Sequence, residues 1–516
     1  MNRTTISLLA TVTALVAVTG VASLGSGEQS TAPAGQARDM PVERTALTCP
    51  RPTGAELATT EYTAYTPGGD GNGDGADGQE EGEEGHAYLL PAPEYVAGFG
   101  TGDEDEDSDE DADQDPEPLV ALQEPGVPVS ASVDTYGAPA LTGTAEQRLA
   151  PGWTVQQTTS VRSGAGQGLL GTSCQTPDSE FWFAGASTAE ARNDYVHLTN
   201  PDAGPTVVDI QLYGPEGRLE SGLGGEGVTV PGGTSVAVRL STLTDEPLAD
   251  LAVQVTARTG RIGAQIEASD AQLGVDWLTP VSATTGPLVL PGIPADARTL
   301  RLVAYAPGDE DVALDVSLSG PTGSFTPAGN ESITLRSRTL TAIDLEDLTQ
   351  GEPGSLILTP ATGSGAGAVV VGLRVTQGED DEREMAFIPA TAPIEQRASV
   401  AGNTAKGTTL SLVAPEEAVE VRVTLSGGSN GGEAPEPETY TVEARSTLAI
   451  APELPDGTKG RYAITVERLD GGTLYASRTL VKKEDDMVTF TVQTLPDDRS
   501  RVSVPQTGED LSVLTD

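Results

Sequence analysis

The stretch of the sequence most suited to metal chemistry is DGNGDGADGQEE, which fits the calcium-loop pattern D-x-[DN]-x-[DN]-G-x5-E. Oxygen-bearing side chains stand at pattern positions 1, 3, 5 and 12, namely Asp70, Asn72, Asp74 and Glu81. An EF-hand needs a helix on each side of the loop, and Pro67 with its two following glycines prevents the entering helix. Because the surrounding residues are drawn only from Gly, Asp, Glu, Asn, Ala and Gln, the match is weak and we predict no metal site.

Acid–base catalysis near neutral pH has little material here, because the chain holds only two histidines. His86 lies in the acidic, glycine-rich stretch, whereas His197 lies in the alternating run YVHLTN, which predicts a surface or edge position on a strand. The sequence contains no G-x-S-x-G, H-E-x-x-H or C-x-x-C motif. We therefore predict that the protein is not an enzyme and has no catalytic residues and no cofactor.

Aromatic side chains are scarce, at 4% of the chain, and the densest cluster is EFWFAGAST. On a strand, Phe181 and Phe183 share one face, and Trp182 takes the other. Trp182 is thus a candidate for stacking on a sugar ring, or for packing against the N-terminal segment near Cys49. Trp277, in GVDWLTP, is expected to pack between two neighbouring repeats.

Two cysteines, Cys49 and Cys174, are the only thiols of the chain, and we predict that they form a disulfide. The bridge would close a loop of about 126 residues, which the chain-entropy account values at up to ~5 kcal/mol. It would tie the N-terminal segment to the first folded domain. The alternative is a pair of free thiols.

A net charge of −48 argues against nucleic acid and anionic lipid as partners, because such a chain repels phosphate. The partners left are other envelope proteins or a wall polymer. Only four of the cationic residues are lysines, and this preference for arginine, with abundant Ala and Gly, indicates a bacterial genome of high GC content.

The first residues, MNRTTISLLATVTALVAVTGVASLGSGEQS, place Arg3 before an apolar run over residues 6–24. This pattern predicts an export signal over residues 1–27, either a cleaved signal peptide or an uncleaved membrane anchor. We therefore expect an extracytoplasmic protein, secreted or held at the cytoplasmic membrane by its N-terminus.

Residues 28–150 are acidic and rich in Gly and Pro. Between residues 70 and 117 there are 19 acidic side chains and no Lys or Arg. Low hydrophobicity and high charge leave too little apolar surface to offset the entropy of ordering. The composition therefore predicts a disordered acidic linker that acts as a spacer.

Beyond residue 150, short alternating runs separated by Gly, Pro, Asn and Asp predict half-buried strands. VHLTNPDAGPTVVDIQLYGPEGRL, from residue 196, aligns without gaps to LVAYAPGDEDVALDVSLSGPTGSF, 106 residues later. A third copy, LSLVAPEEAVEVRVTLSGG, follows at 107 residues. A period near 100 residues is the size of a two-sheet sandwich.

The predicted fold is therefore all-β, with three tandem immunoglobulin-like β-sandwich repeats. We assign them to residues 151–285, 286–380 and 381–505, followed by a disordered tail over 506–516. The alternative is one continuous β-structure whose domains share strands.

Four motifs together resemble an uncharacterised family of exported actinobacterial proteins, domain-of-unknown-function family 5719. They are the T-C-P at Cys49, the Cys-x-x-Pro at Cys174, the FWFAGAST at Phe181 and the run LTNPDAGPTVVDIQLYGPEG from Leu198. The resemblance implies an envelope location and a β-rich ectodomain, and it supplies no catalytic residue. We expect a structural or interaction scaffold of the cell envelope, and the alternative is a surface protein that binds cell-wall glycan.

Overall fold

The protein, described by a computed structural model, is built from 36 strands, numbered β1 to β36, and two 3₁₀ helices. The structure describes residues 37–55, 57–68, 85–96, 116–134, 137–164, 166–220, 224–345, 348–363, 367–379, 383–484 and 487–505. These residues contain no α-helix, and the all-β class is confirmed. The signal segment, the calcium-loop match and the C-terminal tail fall outside them. Among the described residues no helix has the length and apolarity needed to cross a membrane.

The two ends of the described chain form a small unit of their own, in which β1 pairs antiparallel with β36. All other strands belong to one compact unit, Val42–Ser500. This sentence gives the bounds of the terminal pair: β1 spans Arg38–Pro41 and β36 spans Arg501–Val504.

The first eight strands of the large unit form sandwich I, which has two four-stranded sheets, β2-β7-β4-β5 and β6-β3-β8-β9. A 3₁₀ helix, Gln147–Leu149, follows β7. The strands are β2 Arg44–Cys49, β3 Ala58–Tyr65, β4 Ala87–Ala92, β5 Val120–Leu122, β6 Val129–Val133, β7 Ala140–Glu146, β8 Thr154–Val161 and β9 Gly168–Ser173.

The predicted linker over residues 28–150 is therefore wrong, because most of sandwich I lies within it. The two acidic stretches are insertions in loops, one between β3 and β4 and the other between β4 and β5. They separate strands of three to eight residues, whose own apolar side chains, such as Tyr62, Leu89 and Leu141, are fully buried in a shared core. Composition averaged over the region hid these short strands.

Sandwich II contains the sheets β10-β16-β12-β13 and β15-β11-β17-β18, with β14 paired to β12. A second 3₁₀ helix, Leu240–Thr242, follows β15. Its strands are β10 Glu180–Ala186, β11 Tyr195–Thr199, β12 Thr206–Gly214, β13 Gly217–Arg218, β14 Val228–Val230, β15 Ser235–Arg239, β16 Leu251–Ala257, β17 Gly263–Asp270 and β18 Gly274–Leu278.

Sandwich III contains the sheets β19-β25-β21-β22 and β24-β20-β26-β27, with β23 paired to β21. The repeat found in the sequence corresponds to the second and third strands of sandwiches II, III and IV. The strands of III are β19 Leu288–Ile293, β20 Thr299–Tyr305, β21 Val312–Gly320, β22 Gly323–Phe325, β23 Ser332–Leu335, β24 Leu340–Leu345, β25 Gly354–Pro360, β26 Val370–Gln377 and β27 Glu384–Pro389.

Sandwich IV contains the sheets β28-β33-β30-β31 and β32-β29-β34-β35, so the large unit has four sandwiches rather than the three that the repeats predicted. Each sandwich has its own apolar core. The strands of IV are β28 Arg397–Asn403, β29 Thr408–Ala414, β30 Val419–Leu425, β31 Glu438–Val442, β32 Ser446–Ile450, β33 Tyr462–Gly471, β34 Tyr475–Glu484 and β35 Met487–Thr494.

The four sandwiches close into a ring. The first sheet of each packs on the second sheet of the next: β2 contacts β17, β10 contacts β26, β19 contacts β34, and β28 returns to β8 of sandwich I. The last strand of each sandwich, which we call its axial strand, lies at the centre. The axial strands β9, β18, β27 and β35 each pack against the next around the ring.

Neighbouring sandwiches share core residues as well as surfaces. Axial strand β27 of sandwich III places Met385 and Phe387 in the core of sandwich II. Axial strand β35 of sandwich IV likewise places Phe490 and Val492 in the core of sandwich III. The unit is therefore a continuous β-structure in which sandwiches lend strands to one another, the alternative left open by the sequence.

The disulfide is confirmed, although its place differs from the one predicted. Cys49 ends β2 and Cys174 follows β9, so the bridge joins the first and last strands of sandwich I. It therefore closes one sandwich, rather than tying a disordered segment to a separate domain. Both side chains are buried in the core of that sandwich.

We predict that the double variant Cys49→Ser, Cys174→Ser lowers the free energy of unfolding by about 2–5 kcal/mol, because the bridge restricts a long loop of the unfolded chain. Urea unfolding followed by tryptophan fluorescence measures the change. Adding a reductant should shift the wild-type midpoint to that of the variant and leave the variant unchanged. An equal stability of variant and wild type would show that the bridge contributes nothing.

Candidate functional site at the ring axis

The ring axis is filled by polar groups, and Asp276 of β18 connects all four sandwiches there. Its carboxylate accepts the backbone N–H of Gly171 from sandwich I at 3.1 Å and the hydroxyl of Thr491 from sandwich IV at 3.2 Å. The backbone N–H of Phe387, from sandwich III, also donates to it. Asp276 is 1% exposed, and burial raises its pKa well above the ordinary aspartate value.

A second buried carboxyl, Glu384 of β27, lies beside this junction. Its Oε1 accepts the backbone N–H of Leu169 at 3.1 Å. A Cβ added to Gly168 or Gly274 would stand 2.5 or 2.7 Å from its carboxyl oxygens, so these two glycines of sandwiches I and II make room for it. Burial, with a smaller contribution from the charge of Asp276, raises the pKa of Glu384 to about 9.

Sequence reasoning missed both carboxyls, although a signal was present. Asp276 lies in GVDWLTP and Glu384 in EMAFIP, each a single acid within a short apolar strand. A buried charge in such a strand is costly unless it is neutralised or hydrogen-bonded, so it marks a position with an unusual environment. The partners come from three other sandwiches, and the local sequence gives no means of finding them.

A cavity of about 520 Å³ opens at the axis, lined by the segments that follow the axial strands of all four sandwiches. Its wall consists mainly of hydroxyl side chains, prolines and backbone. Four carboxylates also line it, namely Asp178, Glu180, Asp497 and Asp498.

Each of these carboxylates is engaged by the protein. Asp178 accepts the N–H of Ser179, and Glu180 accepts the indole N–H of Trp182 at 3.0 Å. Further along the wall, a carboxylate oxygen of Asp497 accepts the N–H of Gln396, and Asp498 pairs with Arg397 at 2.6 Å. These acids therefore hold the wall of the cavity in place.

Two buried polar side chains that line the cavity lack a hydrogen-bond partner among the described residues. They are Trp153, through its Nε1, and Gln493, through both atoms of its amide. Together they offer N–H donors and one carbonyl acceptor, which suit a neutral ligand bearing hydroxyl or amide groups.

Trp182 lies between sandwiches II and III, away from the position near Cys49 that we expected. Its ring packs between Tyr213 of sandwich II and Tyr305 of sandwich III, with both ring centroids 5.5 Å away. The side chain is 8% exposed, so its faces are not available for stacking on a sugar. Trp182 therefore stabilises the contact between two sandwiches.

Trp277 also packs between sandwiches, although its partner is the preceding sandwich and not the following one. It contacts Val161 and Leu170 of sandwich I. His197 lies edge-on against it, with ring centroids 5.3 Å apart, and its Nε2 is 3.3 Å from the Glu267 carboxylate. His197 lies on the central strand β11 and is buried, so the predicted surface or edge position is wrong.

His86 is exposed at the start of β4, where it stacks on Tyr88 and lies 3.3 Å from a carboxylate oxygen of Glu146. The structure thus places the two histidines in different sandwiches and unites neither with the axial carboxyls. Within the described residues no group of His, Cys, Asp and Glu side chains is arranged to hold a metal ion.

The raised pKa of Glu384 makes stability depend on pH. The folded protein keeps this proton up to about pH 9, whereas the unfolded chain releases it near pH 4.5. Stability is therefore greatest below about pH 4.5 for this group and falls as the pH rises towards 9, by up to about 1.4 kcal/mol per pH unit.

We predict that Glu384→Gln, which keeps the shape and cannot ionise, reduces this loss and is more stable than wild type at pH 8. Urea unfolding at pH 5 and pH 8 measures the difference, with Glu420→Gln, an exposed position, as control. A slope equal in all three proteins would contradict the assignment.

Comparison with known proteins agrees with the resemblance noted from the motifs. No curated protein was found to match the chain. Residues 129–453 match a family described as a family of unknown function, DUF5719. The match begins at β6 and ends after β32, so it covers sandwiches II and III completely and parts of the other two. Since it spans more than half of the sequence, the chain belongs to the DUF5719 family.

Proposed function

We propose that the chain is a non-catalytic, extracytoplasmic protein of the cell envelope that serves as a rigid structural or interaction scaffold. The closed ring is the observation that carries the proposal. Because four sandwiches share one buried axis, the segments around the axial cavity hold fixed positions relative to one another. A fixed face of this kind suits the recognition of a partner with little loss of conformational entropy on binding.

Two further observations support the location and the absence of catalysis. The disulfide suits an oxidising compartment outside the cytoplasm, as does the apolar N-terminal run of the sequence. The carboxylates of the cavity wall are held by hydrogen bonds, and Asp276 and Glu384 are covered. A general base needs an accessible carboxylate or imidazole within reach of a substrate.

A second function, recognition of a neutral cell-wall glycan, is favoured by the unpartnered polar atoms of Trp153 and Gln493 in the cavity wall. Hydroxyl groups of a sugar would satisfy the indole N–H and the amide. The site is then the axial cavity and no longer Trp182.

One pair of variants tests both proposals. Ser282→Arg places a bulky cation at the axial cavity, and Ser324→Arg makes the same change on the exposed strand β22. We expect full-length protein cross-linked in native membranes to co-purify with envelope proteins, and Ser282→Arg alone to reduce recovery at least about tenfold, since a desolvated arginine in an interface costs more than 1.4 kcal/mol.

The readouts separate the functions. Retention of purified protein on wall polysaccharide, lost only in Ser282→Arg, would favour the glycan function over the scaffold. Equal behaviour of the two variants in both assays would place binding away from the axis. Hydrolysis of an envelope substrate by the purified protein would overturn the non-catalytic proposal.

A further inference from the structure

A second cavity, of about 620 Å³, lies where sandwich IV meets sandwich I, and we call it the closure groove. Sandwich I contributes the outward faces of β3 and β8 and the start of β9. Sandwich IV contributes the turn between β28 and β29, the residue Arg461 before β33, and the end of β34. The groove is separate from the axial cavity, and the two share no lining residue.

The charge of the closure groove is opposite to that of the chain. Five cationic side chains line it, against the single carboxylate of Glu61. The five are Arg162, Lys406, Arg461, Lys482 and Lys483, so the groove holds three of the four lysines in a chain of net charge −48. A local basic site in so acidic a chain concentrates anions at this one place against the general repulsion.

The carboxylate of Glu61 is already occupied. Arg461 of sandwich IV donates its Nε–H to the Glu61 carboxylate at 2.6 Å, which fixes one wall of the groove across the contact between the sandwiches. Lys406 and Lys483 are exposed and form no ion pair with any residue that the structure describes. These two ammonium groups are therefore free to meet a ligand.

The floor of the groove is made of hydroxyl groups. Thr59 faces Ser160, and Glu61 faces Thr158, in adjacent rungs of the pair β3–β8. The ammonium of Lys482 lies 2.9 Å from the Ser160 hydroxyl, so cationic and hydroxyl groups converge at one point. Ammonium groups above hydroxyl donors bind an oxyanion with several oxygens, as phosphate has, better than a planar carboxylate with two.

We propose that the closure groove is a binding site for a phosphate-bearing ligand, such as a phosphodiester polymer or a phosphorylated small molecule outside the cell. The overall negative charge of the chain disfavours approach to an anionic membrane, so the ligand is a soluble or wall-linked phosphate and not a lipid headgroup. This site is independent of the scaffold function proposed for the axial face.

The test measures binding of inorganic pyrophosphate to the full chain by calorimetry in 150 mM salt. The variant Lys406→Glu, Lys483→Glu reverses two exposed charges of the groove. The control Lys459→Glu, Arg336→Glu makes the same change of net charge at exposed positions outside it. We expect the groove variant to weaken binding at least about tenfold per lost charge-assisted contact, and the control to stay within about twofold.

A thermal melt of each variant verifies that the fold is intact, and a second arm uses vesicles that contain phosphatidylglycerol. Binding of pyrophosphate by wild type and control, with little vesicle binding, supports the proposal. Three results would overturn it: no pyrophosphate binding by wild type, equal weakening in both variants, or binding to the vesicles without binding to pyrophosphate.

Discussion

The carboxyl group of Asp276 holds the molecule together at its centre, because it accepts hydrogen bonds from sandwiches I, III and IV while belonging to sandwich II. Its burial carries a large desolvation cost, which these donors offset only when all four axial strands are in place. The neighbouring Glu384 is fitted between glycines of sandwiches I and II in the same way. The axis is thus a polar junction whose partners exist only in the closed ring, and this couples the stability of each sandwich to the others.

Close approach of backbones around the ring follows from the same constraint. At Gly171 of β9 an added Cβ would lie 2.6 Å from the Thr491 side chain of sandwich IV. At Gly292, where the backbone has a φ of +83°, it would lie 2.0 Å from the Ser477 hydroxyl of the next sandwich. Only glycine allows sheets to meet at these distances. Aromatic contacts such as that between Trp182 and Tyr305 then fill the wider parts of the contacts between sandwiches.

Local patterns in the sequence predicted the strands of sandwiches II, III and IV, because period-2 alternation and glycine turns report short-range structure. Sandwich I escaped prediction, since acidic insertions separate β3 from β4 and β4 from β5 and dilute the apolar pattern. The ring itself was beyond reach, because contacts such as Asp276–Thr491 join residues 215 positions apart. The disulfide could be predicted from export and the count of two cysteines, whereas the partners of Trp182, Trp277 and His197 depend on the ring.

The ring gives the family a common frame with two separate surfaces, an axial face of hydroxyls and prolines and a basic groove where the chain closes on itself. The claim that underlies both is closure of the four sandwiches. Small-angle X-ray scattering of the full chain tests it most directly. A compact unit spanning Val42–Ser500 should have a radius of gyration of about 23 Å, with a modest addition from the terminal segments and acidic insertions. A value on the order of 40 Å, as four sandwiches in an extended row would give, would contradict the ring.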